Sequence, residues 1–101
     1  MPKLYEYFGL VVFFYAGEHE PIHVHGRYQE RESKAELIVR NGKVVEIRIV
    51  SVQGRKPLQH ARRSDFKKLV ELYADEIVDQ WVNYFVMHKK LRTKKLHKKL
   101  Q

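Results

Sequence analysis

No cysteine occurs among the 101 residues, so no disulfide staples this fold, and its stability must come from packing. The same absence fits a reducing compartment. No stretch approaches the roughly 20 apolar residues that a membrane span requires; the apolar run from Phe8 to Tyr15 is far shorter. Met1 to Glu6 carries an acid where a signal peptide has its basic start, and no small-residue cleavage site follows Leu10 to Tyr15. A cytoplasmic protein without a transmembrane segment is therefore expected. The chain is also too short for two independent cores. With 44% hydrophobic residues, among them six Tyr, five Phe and one Trp, it has enough apolar surface for one core.

Acid is missing from one region. From Lys89 onward there are seven basic residues, Lys89, Lys90, Arg92, Lys94, Lys95, Lys98 and Lys99, and no Asp or Glu. The rest of the chain holds 13 Lys or Arg against 12 Asp or Glu, so the net charge of +8 belongs to the tail. The organisation read from this is a domain over residues 1–88 and a basic extension over 89–101, helical or frayed. Lys and Arg interleaved with Leu91, Leu96 and Leu100 suit nucleic acid, through counterion release, or an acidic partner protein. The apolar face is thin for a membrane surface. The alternative is a solvated terminal helix.

Phe8 to Tyr15 reads as a buried central strand, being rich in aromatic and β-branched residues and too short for a typical helix. A turn with Gly17 and Pro21 follows, and the next strand begins at Ile22. Along it Ile22, Val24, Gly26 and Tyr28 share one face, while His23, His25 and Arg27 share the other. Gln29 to Ser33 reads as a polar turn. Ala35, Leu37 and Val39 then alternate with charged residues as a third strand, and Val45, Ile47 and Ile49 as a fourth, joined at Asn41-Gly42. A two-residue loop there would set Leu37 against Glu46. A three-residue loop, Arg40 to Gly42, sets Leu37 against Val45 and Ala35 against Ile47, which the apolar pattern prefers. Ser64 or Asp65 is the expected N-cap of a helix. Its stripe of Phe66, Leu69, Val70, Tyr73, Ile77, Trp81, Tyr84 and Phe85 recurs at three- and four-residue intervals, with Asp75 as a cap if the chain bends near Ala74. The expected fold is α+β: a small, mostly antiparallel sheet of about four strands, followed by one or two C-terminal helices packed on one face.

The chemistry-bearing stretch is Glu18 to His25, which holds three of the six histidines and two carboxylates. His23 and His25, two apart on one strand, reach toward a common ion or phosphate. His19 and Glu18 could complete a ligand set for a divalent transition metal such as Zn; no other cofactor is implied. A metal-free alternative pairs His23 and His25 with Arg27 as catalytic groups, one imidazole taking and one donating a proton while the guanidinium steadies phosphate charge. Against both stands an ordinary role, histidines hydrogen-bonded to a neighbouring carboxylate. A second cluster, Arg55, Lys56, His60, Arg62 and Arg63, precedes the helix and could bind phosphates, or be ordinary loop charge. An exposed edge strand would also admit a homodimer.

The residues Pro2, Phe8, Gly9, Tyr15, Glu18, His19, Pro21, His23, Val24, His25 and Tyr28, with Gly42 and the Leu-to-Trp spacing ending at Trp81, resemble the domain-of-unknown-function family 4160. The resemblance spans roughly residues 1–82, with Glu18 where that family usually has Asp and Ile22 where it commonly has Pro. It implies a small prokaryotic domain without an assigned activity, often encoded beside a partner in toxin-antitoxin-like arrangements. The functional expectation is an interaction module of such a pair, binding nucleic acid or an acidic partner; the alternative is a small histidine-dependent nuclease or metal-binding enzyme.

Overall fold

The computed structural model describes residues 2–15 and 21–100. Eight elements follow in order: β1 (Lys3–Tyr7), β2 (Leu10–Phe13), β3 (His23–Tyr28), β4 (Arg31–Arg40), β5 (Lys43–Ser51), α1 (His60–Leu72), α2 (Ala74–Phe85) and β6 (Lys94–Leu96). The strands form one sheet in the order β5-β4-β3-β2-β1-β6. Consecutive hairpins make β1 to β5 antiparallel, and β6 alone runs parallel to its neighbour β1. The expected α+β fold is present, with two more strands than the pattern showed. No helix is long and apolar enough to cross a membrane.

Period-two alternation sorts the sheet into two faces. Val12, Val24, Ala35 and Leu37 join Phe66, Leu69, Val70, Ile77 and Trp81 from the helices in one buried cluster. Each of the Val, Leu, Ile and Phe side chains among them contributes about 1.5–3 kcal/mol relative to exposure. At Gly26 the Phe66 ring lies so close that a Cβ would come within 2.7 Å of it, so the glycine lets helix α1 settle against β3. The other face carries His23, His25 and Arg27, and both helices lie across the sheet from it.

Four expectations are corrected by the structure. Phe8-Gly9 is not strand but a two-residue turn, with φ of +46° and +91°, between β2 and the unanticipated β1. The Gln29 to Ser33 turn shrinks to Gln29-Glu30, because β4 already starts at Arg31. Helix α1 starts at His60 behind Gln59, with no side-chain cap, so Ser64 and Asp65 lie inside it. Pro57 and the buried Leu58 position its entry: Leu58 N–H donates to Ser33 Oγ at 3.0 Å. The stripe then breaks at Tyr73, and Asp75 sits in the first turn of α2, where its charge suits the helix dipole rather than capping it.

The β4–β5 hairpin closes with the two-residue Asn41-Gly42 turn, both residues at positive φ. Arg40 pairs with Lys43 and Val39 with Val44, yet Leu37 pairs with Ile47 and Ala35 with Ile49. A bulge between Ile38 and Val39 accommodates Val45 as the extra residue. The apolar pattern is satisfied, but by a bulge within the strand rather than by a longer loop.

The tail also departs from expectation. Lys94–Leu96 is a strand on β1 rather than helix or frayed chain. Leu91, Leu96 and Leu100 are spaced five and then four apart, which suits no helical face, and all three pack against the core. Thr93 Oγ1 donates to the Lys3 carbonyl at 3.2 Å, and Leu100 N–H to the Tyr7 hydroxyl at 3.2 Å.

Candidate functional site

His23 and His25 do share a face, with ring centroids 5.3 Å apart. Both are buried, His25 to 2% exposure and His23 to 5%. His23 Nδ1–H donates to the Pro21 carbonyl at 2.6 Å, an acceptor that places the proton on Nδ1. His25 Nδ1–H donates to Glu32 Oε2 at 3.0 Å. The His25 ring stacks on Phe13 and meets Tyr15 edge on, at centroid distances of 5.5 and 4.5 Å.

Glu32 organises this face. It has no exposed surface, and a buried carboxylate needs donors and countercharge. The Tyr15 hydroxyl donates to it at 3.2 Å, and Arg55 Nε lies 3.9 Å away. Burial first, and the Glu32 charge second, push the Tyr15 hydroxyl above its ordinary pKa, so it stays a donor at neutral pH. The Glu32 backbone N–H donates to the Lys56 carbonyl at 2.9 Å, and Arg31 Nη1 donates to the Pro57 carbonyl at 3.2 Å. Together these bonds tie the connector before α1 to the start of β4. Glu32 lies in a stretch whose composition reads as a turn, and only the β3–β4 pairing, which sets it directly opposite Arg27, places it on the histidine face.

The catalytic candidates His23, His25 and Arg27 are thus brought together on one strand face, where the Arg27 guanidinium lies 5.4 Å from the Phe13 ring centre. A carboxylate holding an imidazole fixes its tautomer and orientation, the arrangement of a base and its orienter. Here the pair is closed to solvent. Of the metal candidates, His19 and Glu18 lie outside the described residues. Among the described residues no three His, Asp or Glu side chains are grouped to hold an ion.

The basic candidates divide by what they touch. Arg55 leans on Glu32. Arg62 pairs with Asp65 at 2.8 Å and stacks on Tyr28 at 4.9 Å. Lys56 and Arg63 are exposed at the surface. In the tail, Lys94 lies 3.9 Å from Glu76 and Lys95 3.9 Å from Glu6. Lys89, Lys90, Arg92, Lys98 and Lys99 are exposed and, among the described residues, have no ion-pair partner. Arg62 and Lys99 line the same cleft beside Tyr7 and Phe8, so the tail meets the start of α1.

No curated protein and no solved structure matches the chain. Residues 9–82 match the family model described as a domain of unknown function (DUF4160), a span that takes in the histidine strand, Glu32 and the connector before α1 while leaving out β1 and the basic tail, and the chain belongs to that family.

Proposed function

We propose that this protein is the interaction module of a toxin-antitoxin-like pair and that it binds nucleic acid through the cations of residues 89–99. The observation that carries this reading is the docking of β6. Strand β6, held on β1, anchors the segment in which five exposed cations, Lys89, Lys90 and Arg92 before it and Lys98 and Lys99 after it, have no ion-pair partner among the described residues, so less ordering entropy is lost on binding than for a frayed tail. Lys56 in the connector and Arg63 within α1 are further exposed cations. The closed Glu32 network supports the reading from the other side, because it holds His25 in the interior.

Deleting the tail would remove a strand as well as charge, so the test replaces Lys89, Lys90, Arg92, Lys98 and Lys99 together by Gln. Fluorescence anisotropy with a labelled 20-nucleotide RNA or DNA across a salt series measures the outcome. Wild type is expected to lose affinity linearly in log salt, and the variant to have a slope smaller by about 0.7 for each single-strand phosphate that no longer meets a cation. An unchanged slope overturns the reading. Inert nucleic acids, with retention on an acidic protein instead, would replace the partner.

The His25–Glu32 pair favours one second reading, a small histidine-dependent nuclease. Its mark would be RNA cleavage, with or without Zn or Mn, that His23→Ala abolishes while the fold survives.

A further inference from the structure

Phe8 stands at the first central position of the β1–β2 turn with φ +46°. Gly, Asn or Asp adopts this conformation easily, whereas a bulky side chain is strained there. The strain is not offset by burial: the residue is 56% exposed, and its ring touches Tyr7 edge on, at 4.8 Å between centroids. The turn beneath it is held firmly. Gly9 lies against Tyr28, where a Cβ would come within 3.0 Å of the ring, and the Arg62 guanidinium stacks on the same ring. Strain held in place by its surroundings, with an aromatic ring displayed to solvent, points to recognition.

The surroundings of Phe8 identify what is recognised. The ring borders two clefts. One is lined by Lys95 and His97 with Glu6, the other by Arg62 and Lys99 with Asp65. Glu6 lies 3.9 Å from both Lys3 and Lys95, and Asp65 lies 2.8 Å from Arg62. Both acids are therefore neutralised, and the surplus charge around the ring is positive. An exposed ring between cationic clefts suits a chain of alternating anions and flat faces.

We propose that Phe8 is a stacking platform for a base of single-stranded nucleic acid, with the phosphates on either side passing Lys95 and Lys99. The proposal rests on the nucleic-acid reading of the tail and narrows it. Only an unpaired strand can lay a base face on the ring, since the bases of a duplex are already stacked on one another. The tail cations lie outside residues 9–82, so the phosphate-contacting half of the platform is a property of this chain rather than of the matched domain.

The test compares wild type, Phe8→Asn and Phe8→Trp on a labelled oligopyrimidine and on its duplex. Asn tolerates positive φ, so Phe8→Asn removes the ring while keeping the turn, and a thermal melt no lower than wild type verifies the fold. Phe8→Asn is expected to bind the single strand about tenfold more weakly, with duplex affinity and salt slope unchanged. Phe8→Trp should retain affinity and show indole fluorescence quenched on binding. Equal single-strand affinity for wild type and Phe8→Asn overturns the platform and leaves the tail reading standing. A wild type that binds no nucleic acid overturns both. Loss of self-association in sedimentation by Phe8→Asn, without any change in single-strand affinity, assigns the ring to a second copy of the chain and also overturns the proposal.

Discussion

At the scale of single residues, Glu32 is the buried charge on which a polar network depends. Its carboxylate accepts from the Tyr15 hydroxyl and from His25 Nδ1–H with no exposed surface of its own. Glu32→Ala removes that acceptor and should cost about 1–3 kcal/mol for each donor left without it. Glu32→Gln keeps one carbonyl oxygen and should cost less. Urea unfolding of the two variants checks the order, and a loss near zero for Glu32→Ala would show that the network contributes little to stability. Tyr5 is the counterpart on the helix face: its hydroxyl donates to Glu76 Oε1 at 2.6 Å. Burial, then that bond, push its pKa up as well.

At the scale of elements, the β4–β5 hairpin shows how a ladder reconciles a turn with a pattern. Asn41-Gly42 is best suited to a two-residue turn, while the core needs Leu37 opposite Ile47; one residue too many lies between these requirements. Val45 bulges out, 56% exposed. Deleting Val45 should therefore leave a regular ladder with the same inward residues, and a cooperative melt within about 1 kcal/mol of wild type. Deleting Arg48 should behave differently, because either Ile49 leaves the core or Glu46 enters it. A similar loss for the two deletions would refute the bulge account. This hairpin was half legible in the sequence. Alternation showed that Leu37 and Ala35 needed apolar partners, but the location of the extra residue depended on turn geometry weighed against strand twist, which no local window contains.

At the scale of the whole molecule, the tail completes the sheet. Without β6, strand β1 would be an edge with unpaired backbone groups. Leu91, Leu96 and Leu100, each partly buried, contribute about 1 kcal/mol apiece. Removing residues 89–101 should therefore lower the unfolding midpoint and promote self-association in sedimentation. The five-fold Gln variant of the tail, which keeps the strand and the leucines, should do neither. If both variants behave alike, charge rather than strand docking is what the tail supplies to the fold. The sheet then has two edges, β5 and β6, and both are guarded: β5 by its bulge and the Glu46–Arg48 pair, β6 by its shortness and its lysines.

Local chemistry determined much of this protein. Strand alternation is a property of neighbouring residues, so the separation of His23, His25 and Arg27 from Val24 and Gly26 was readable from the residue order alone, as were the helical stripe and the position of the charge. Contacts distant in sequence were not readable. Glu32 finds Tyr15 across 17 positions, and Leu100 finds Tyr7 across 93. Burial depends on what the rest of the chain lays over a residue, and only the tertiary structure decided that His25 meets the Glu32 carboxylate inside the protein while Phe8, part of the most apolar run, faces the solvent.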